Sequence, residues 1–212
     1  MTVPIHQSQD GASRWTAETV GMHSDILDRM ERAVAKVRER LLRATAALNQ
    51  AGVPYAVAGG NAVASWVATV DEGAVRNTRD IDLLVRRSDL PAVTAALEQA
   101  GFVRDEVLDV VMFRDGAEGK PSEAVHLLFA GEKTRPDHLL PAPEIQTVKD
   151  PANFHVIALE SLVAMKLMSN RDKDRTHLRD MIGVRLIDPS WLTKLPPELA
   201  DRLKHILDTP DA

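Results

Sequence analysis

The sequence is short of several residue types, and each shortage excludes a class of chemistry. Its 212 residues include no cysteine, one tyrosine and four phenylalanines. Without cysteine the chain forms no disulfide, no zinc–thiolate site and no thiol nucleophile. So few aromatic rings leave little surface on which nucleic-acid bases stack.

Long apolar runs are also missing. No stretch reaches the roughly 20 consecutive apolar residues that cross a bilayer, and the N-terminus lacks the charged-then-apolar pattern of a secretion signal. With 44% hydrophobic and 27% charged residues, the composition is typical of a soluble globular protein. We therefore expect a cytoplasmic protein with no membrane partner.

The charge balance bears on the kind of partner. The formal net charge is −5, whereas proteins that bind nucleic acid in general are usually basic. A localised basic groove is compatible with this balance. The net charge therefore does not favour nucleic acid as a partner, and it does not exclude one.

The residue pattern divides the chain into three parts. Residues 1–22 are polar and mixed, and residues 23–135 begin with apolar positions at three- and four-residue steps, which predict a long helix from Ser24. Gly52 is the expected end of that helix. Residues 136–212 start with a proline-rich connector and continue as helices.

Strand and helix patterns alternate between residues 54 and 129, which predicts a small mixed sheet flanked by helices. With the helices on either side, the fold class is α+β. The predicted strands are 54–58, 78–85, 107–114 and 123–129, and the predicted helices after the first are 62–70, 88–100, 159–169, 174–183 and 198–207.

One face of the first helix is basic. Its residues permit two interpretations, a solvated helix surface or a rim that attracts an anionic substrate. They are Arg32, Lys36, Arg38, Arg40 and Arg43.

Two motifs point to metal-bound phosphate. Asp80 and Asp82 lie two apart in a strand, so their carboxylates project from the same face. Two such groups repel each other unless a cation lies between them, and hard divalent ions prefer carboxylate and phosphate oxygens. Gly59 and Gly60 precede a helix, where a phosphate chain can approach the backbone.

The neighbouring strand is where a third acid is expected, and it holds His126 on the equivalent face. A histidine can act as a base or bind a metal, although it is a poorer magnesium ligand than a carboxylate. The alternative interpretation is a histidine at the edge of the core, satisfied by ordinary hydrogen bonds.

Further cations follow near the C-terminus. Lys166 lies in an otherwise apolar helix, where it either extends its amine to solvent or reaches a substrate phosphate. The charged run from Asn170 to Asp180 is either a solvated helix start or part of the same site.

On these residues the chain resembles the nucleotidyltransferase superfamily, which has the polymerase-beta-like fold. The shared signature is a Gly-Gly or Gly-Ser turn, a helix, and a strand with Asp-x-Asp. More narrowly, the chain is similar to a small bacterial group that includes the AbiEii-type toxins and minimal nucleotidyltransferases. That group has a lysine-containing helix followed by an Arg/Lys-Asp segment, matched here by Lys166, Arg171 and Asp174. The likeness spans roughly residues 50–182.

The resemblance implies an enzyme that moves a nucleoside monophosphate from a nucleoside triphosphate, such as ATP, to an acceptor. RNA, protein and small molecules are all acceptors in the superfamily. The implied ion is Mg²⁺, with Mn²⁺ as the alternative. The implied metal ligands are Asp80 and Asp82, the catalytic set adds His126 and Lys166, and the nucleotide contacts are Gly59, Gly60, Asn61, Arg79, Lys166, Arg171 and Asp174.

Two departures leave a second function open. Asn61 follows the turn where many members have a phosphate-binding serine, and His126 replaces the third acid. The alternative is a catalytically degenerate nucleotide-binding protein, or a regulatory protein of the toxin–antitoxin type with a protein partner.

A purely structural explanation of the two aspartates also exists. In it, Asp80 and Asp82 lie at the end of a sheet and are neutralised by ion pairs with Arg76 and Arg79.

Overall fold

The computed structural model describes residues 17–209, with side chains described from Asp25 onward. Within that range the strands are β1 Ala56–Ala58, β2 Ile81–Val85, β3 Phe102–Val107, β4 Val110–Asp115, β5 Val125–Phe129, β6 Thr147–Lys149 and β7 His155–Ile157. The helices are α1 Ala17–Gln50, α2 Gly59–Ala68, α3 Leu90–Gln99, α4 Leu159–Ser169, α5 Asp172–Gly183 and α6 Pro197–Asp208.

The first helix is longer than its cap signal suggested. It begins at Ala17 rather than at Ser24, since no proline interrupts residues 17–24 and Ala17, Glu18 and Met22 among them favour helix. It ends as expected: Gly52 has a φ of +64°, Val53 N–H donates to the Leu48 carbonyl at 3.0 Å, and Gly52 N–H donates to Asn49 at 3.2 Å. These two bonds form the Schellman motif, which requires a left-handed residue.

The chain divides within this helix into two units, of which residues 17–35 belong to the first and residues 36–209 to the second. In the first unit the side chains of Ile26, Leu27, Met30 and Val34 are exposed. Residues 1–16, including Trp15, lie outside the described residues.

The sheet of residues 36–209 contains seven strands in the order β3-β4-β5-β2-β1-β7-β6. The central strand β2 pairs antiparallel with β1 and parallel with β5. β1 in turn is parallel to β7. The mixed sheet, the flanking helices, the long first helix and the helical C-terminal part confirm the α+β prediction.

Two features of the sheet were not predicted. The expected strand at 107–114 is instead the second half of a hairpin, in which Leu108 and Asp109 form a two-residue turn with φ of +50° and +66°. Such turns are usually marked by Asn-Gly or Asp-Gly, and Leu-Asp gives no such signal. The proline-rich connector also contributes β6 and β7, whose three residues each are too few for a periodic pattern.

The basic face of α1 is not uniformly solvated. Arg40 is only 3% exposed, and its guanidinium lies 3.2 Å from Asp115 Oδ2 and 3.6 Å from Glu123 Oε2. Arg43 pairs with the same Asp115 carboxylate. Arg40 therefore joins α1 to the end of β4 and to the loop before β5. It is neither part of a solvated helix surface nor available to attract an anionic substrate.

Candidate active site

The predicted acids and the histidine meet at one edge of the sheet. Asp82 in β2 is the register partner of His126 in β5, and Asp80 immediately precedes β2. The donor atoms of Asp80, Asp82 and His126 all lie within 4.8 Å of one another. Parallel pairing of β2 and β5 thus places His126 at the position expected for the third acid.

The turn before α2 is shaped around these acids. Gly59 has a φ of +63°, and a Cβ at this position would overlap Oδ2 of Asp82 and lie 2.7 Å from its Cγ. A Cβ on Gly60 would lie 2.9 Å from Cβ of Thr78. Both glycines are therefore required by close approach of β2 and its leading loop, and Gly59 also by its left-handed backbone.

Asn61 acts on the backbone of the same loop. Helix α2 begins at Gly59 rather than after Asn61. The Asn61 side-chain amide donates a 2.8 Å hydrogen bond to the Asp80 carbonyl. Asn61 thus holds the backbone of Asp80, one of the two acids, in place.

The two carboxylates have opposite electrostatic environments. Burial acts to raise the pKa of Asp80, but the 2.6 Å hydrogen bond from Thr78 and the Lys173 ammonium outweigh it and hold that pKa below its usual value. Burial raises the pKa of Asp82, and the Asp80 carboxylate raises it further. Excess negative charge at Asp82 is the situation that a bound cation relieves.

The cations near the acids come from α4 and α5. Lys166 is 5% exposed and Asp174 1% exposed. Lys166 Nζ lies 3.0 Å from Asp174 Oδ1, and Arg171 Nε lies 2.7 Å from Oδ2 of the same residue. Burial alone would raise the pKa of Asp174, but Arg171 and Lys166 hold it well below its usual range. Lys166 is therefore buried in an ion pair and does not extend to solvent.

His177 is a residue that the sequence analysis did not single out. Burial and then the Lys166 ammonium lower the pKa of its imidazole to about 4, so the ring is neutral at neutral pH. Among the described residues its buried Nδ1 has no hydrogen-bond partner. A single histidine within a charged run gives no sequence signal for this environment.

These groups line a cleft of about 930 Å³. One end holds Gly59, Asp80, Asp82 and His126, and one wall is formed by α4 and the start of α5, including Lys166, Arg171, Lys173 and Asp174. The tip of the β3–β4 hairpin and a loop after β5 line the rest. A second cavity of about 750 Å³ lies between α5 and α6 and contains none of the predicted site residues.

Three of the predicted nucleotide contacts are not among the residues that line the cleft, namely Gly60, Asn61 and Arg79. Arg79 is exposed, and its carbonyl lies 3.5 Å from Nη1 of Arg40.

The ion pairs of the structural explanation are not found among the described residues. Arg76 pairs with Asp180 at 2.9 Å. The basic group beside Asp80 is Lys173, 3.7 Å from Oδ2. Asp82 makes no ion pair within the part of the chain that the structure describes.

The fold is that of a nucleotidyltransferase. The family model described as "Uncharacterised nucleotidyltransferase" matches residues 20–162, and the chain belongs to this family. None of the curated proteins matches the sequence.

Solved structures are also similar to this chain. The solution structure of the antibiotic-resistance factor ANT(2'')-Ia has a TM-score of 0.50 and 14% identity, covering 84% of this chain and 93% of that chain. A crystal structure of ANT(2'')-Ia in complex with adenylyl-2''-tobramycin has a TM-score of 0.48 and 17% identity, covering 84% and 99%. A nucleotidyltransferase-like antigenic protein from Paracoccidioides brasiliensis has a TM-score of 0.45 and 20% identity, covering 80% and 85%.

None of the helices within residues 17–209 is both long enough and apolar enough to cross a membrane.

Proposed function

We propose that this protein transfers a nucleoside monophosphate from a nucleoside triphosphate to an acceptor in a reaction that requires Mg²⁺. The observation that carries the proposal is the cluster of Asp80, Asp82 and His126, whose donor atoms lie within 4.8 Å at one end of a cleft. Two carboxylates fit a divalent ion. The imidazole beside them either completes the ligand set, which Mn²⁺ accepts more readily than Mg²⁺ does, or stays free as a base.

Each group at the site has a proposed role. Asp80 and Asp82 would hold the ion, which when bound neutralises the charge on the phosphates. Gly59 leaves room for the Asp82 carboxylate beside the start of α2, where backbone N–H groups can approach a phosphate chain. Lys166, held by Asp174, would direct its remaining N–H bonds towards the triphosphate.

His126 would accept the proton of the attacking acceptor hydroxyl or amine. Its register position beside Asp82 brings it to the ion-binding end of the cleft. Neutral imidazole is a suitable base near neutral pH. We also propose the closer likeness to AbiEii-type proteins. The acceptor in this proposal is RNA, a protein or a small molecule.

The second candidate function is nucleotide binding without turnover, in a regulatory or toxin–antitoxin-type protein. His126 in place of a third carboxylate favours it, because imidazole is a weak ligand for Mg²⁺. In this alternative the same cleft binds nucleotide and no transfer occurs.

The test combines binding and transfer. Wild type and Asp82→Asn are titrated with each nucleoside triphosphate, with and without Mg²⁺, and then incubated with α-labelled triphosphates and candidate acceptors. Glu98→Gln is the matched control, since Glu98 is an exposed carboxylate on α3 outside the cleft. We expect Mg²⁺-dependent binding and transfer in wild type and Glu98→Gln, and neither in Asp82→Asn.

The outcomes separate the two candidates. Binding without transfer in wild type, with transfer gained by His126→Asp, supports the degenerate alternative. Mg²⁺-dependent binding that persists in Asp82→Asn contradicts both.

A further inference from the structure

The segment after β5 forms a closed loop, residues 131–142, and several of its residues line the cleft. Gly131 N–H donates to the Ala142 carbonyl at 2.9 Å, and Ala142 N–H donates to the Glu132 carbonyl at 2.8 Å. Paired bonds at the base define a compact Ω-type loop rather than a linker. The proline-rich stretch thus begins as part of the cleft wall.

A tight turn at the tip of this loop places two side chains next to each other. His138 N–H donates to the Arg135 carbonyl at 3.1 Å. Pro136 occupies the second turn position, where its fixed φ suits a β-turn. Arg135 and His138 are the two ends of the turn, so their Cα atoms are within about 7 Å of each other.

Both turn ends face the cleft, together with Lys133. Among residues 25–209 neither Lys133 nor Arg135 takes part in an ion pair, although Arg87 beside them pairs with Glu132. The acid of the turn, Asp137, is not among the residues that line the cleft. The loop therefore presents to the cleft two basic groups, Lys133 and Arg135, that form no ion pair among the described residues.

A further basic group comes from the start of α5. Arg171, at the start of α5, lines the same cleft. Burial lowers the pKa of His138, and Arg135 and Arg171 lower it further against the opposing carboxylates of Asp137 and Asp174. These groups are therefore close enough to interact. Asp174 already pairs with Arg171, so an anion in the cleft would be attracted by Arg135 and by the N–H groups of Arg171 that Asp174 does not occupy.

We propose that loop 131–142 carries a phosphate-binding subsite in which Arg135, His138 and Arg171 hold a phosphate group of the substrate. The proposal rests on the proposed function of the cleft. A guanidinium with an imidazole N–H is suited to phosphate oxygens, which accept charge-assisted hydrogen bonds. The phosphate comes either from the end of the nucleoside triphosphate or from a phosphorylated acceptor.

The first experiment measures binding of inorganic pyrophosphate in EDTA by calorimetry. The variants are Arg135→Ser, the double variant Arg135→Ser/His138→Gln, and Lys149→Ser as the control. Lys149 is exposed on β6, away from the cleft, and its loss changes the net charge as Arg135→Ser does. We expect the double variant to bind about tenfold more weakly or worse, the scale of lost charge-assisted hydrogen bonds, and Lys149→Ser to bind as wild type does.

A second measurement in the same samples follows the His138 imidazole by NMR. Bound pyrophosphate is expected to raise the pKa of His138, because its charge offsets Arg135 and Arg171. Equal affinity in the double variant and Lys149→Ser, or no change at His138, would overturn the subsite.

Asp82→Asn separates this inference from the proposed function. Metal-free pyrophosphate binding should survive in Asp82→Asn even though nucleotide transfer is lost. Loss of that binding in Asp82→Asn would overturn the loop subsite. Failure of wild type to transfer nucleotide would contradict the proposed function. Pyrophosphate binding by wild type and the loop variants would still test the subsite.

A competition arm identifies the source of the phosphate. If a non-hydrolysable ATP analogue with Mg²⁺ displaces pyrophosphate and AMP does not, the subsite takes the terminal phosphates of the triphosphate. If pyrophosphate stays bound beside the analogue and glycerol 3-phosphate displaces it, the subsite takes a phosphorylated acceptor. Either result supports a phosphate subsite, and displacement by neither contradicts it.

Discussion

Lys166 Nζ donates a 3.0 Å hydrogen bond to Oδ1 of Asp174, and both side chains are buried. The pair joins α4 to α5 across the break at Asn170, which has a left-handed φ of +47°. It also keeps the ammonium close enough to lower the pKa of Asp82 against the stronger effect of burial. The contact therefore links the helical part of the chain to the proposed ion site.

We expect Asp174→Asn to lower the free energy of unfolding by about 3–5 kcal/mol, because it leaves Lys166 buried without a counter-charge. Urea unfolding measures the change. Replacing both partners, as in Lys166→Met/Asp174→Leu, should recover much of the loss. Asp208→Asn is the control, since Asp208 pairs with Lys204 on the surface. Equal stability of Asp174→Asn and Asp208→Asn would contradict the prediction.

Gly59→Ala should abolish ion binding beyond its effect on stability. The new Cβ would overlap the Asp82 carboxylate and force it from its position. Gly52→Ala is a matched control, since Gly52 has nearly the same φ, +64°, and no atom within 4 Å of a new Cβ. Each substitution should cost about 1 kcal/mol of stability from backbone strain.

Mn²⁺ titration followed by electron paramagnetic resonance distinguishes the two glycine variants. Gly52→Ala should bind Mn²⁺ as wild type does. Binding retained in Gly59→Ala would show that Asp82 does not need its present position.

The proposed ion site was largely predictable from sequence, and the reason is geometric. Residues two apart in a strand share a face, so Asp80 and Asp82 were expected to project together. The strand begins at Ile81, one residue later than that expectation requires, and the two carboxylates still lie close together. The same alternation placed His126 on the cleft side of the next strand, and the register of β2 with β5 brings it beside Asp82. Short-range periodicity is sufficient for contacts of this kind.

Contacts between distant segments were not predictable in the same way. The bond from Gly131 to Ala142 closes a loop that composition alone presents as a connector. Arg40 has the spacing of a solvated helix face, but Asp115 and Glu123 neutralise it from elsewhere in the chain. Such pairings depend on tertiary approach, which local propensity does not encode.

His177 should make stability depend on pH between about 4 and 6.5. Its pKa is about 4 in the folded protein and about 6.5 when unfolded. Below pH 6.5 the unfolded state binds the extra proton, so stability is complete above that pH and is lost as pH falls towards 4, by up to about 3 kcal/mol.

Urea unfolding at several pH values tests the histidine. His177→Gln should flatten the slope between pH 6.5 and 4, because the variant has no imidazole to protonate at this position. His205→Gln is the control, since His205 is exposed on α6. An unchanged slope in His177→Gln would assign the pH dependence to other groups.

His126→Asp should increase affinity for Mg²⁺ and change the preference between ions. The substitution places a third carboxylate beside Asp80 and Asp82, where the donor atoms already lie within 4.8 Å of one another. Mg²⁺ prefers carboxylate oxygen over imidazole nitrogen, whereas Mn²⁺ accepts both. We therefore expect Mg²⁺ affinity to rise about tenfold or more relative to Mn²⁺, measured by competition between the two ions.

Without an ion, the three carboxylates of the His126→Asp variant repel one another, so the variant should also be less stable in EDTA and regain stability with Mg²⁺. His126→Asn, which adds no charge, separates the effect of the carboxylate from loss of the imidazole. If His126→Asp binds Mg²⁺ no better than His126→Asn does, residue 126 does not contact the ion.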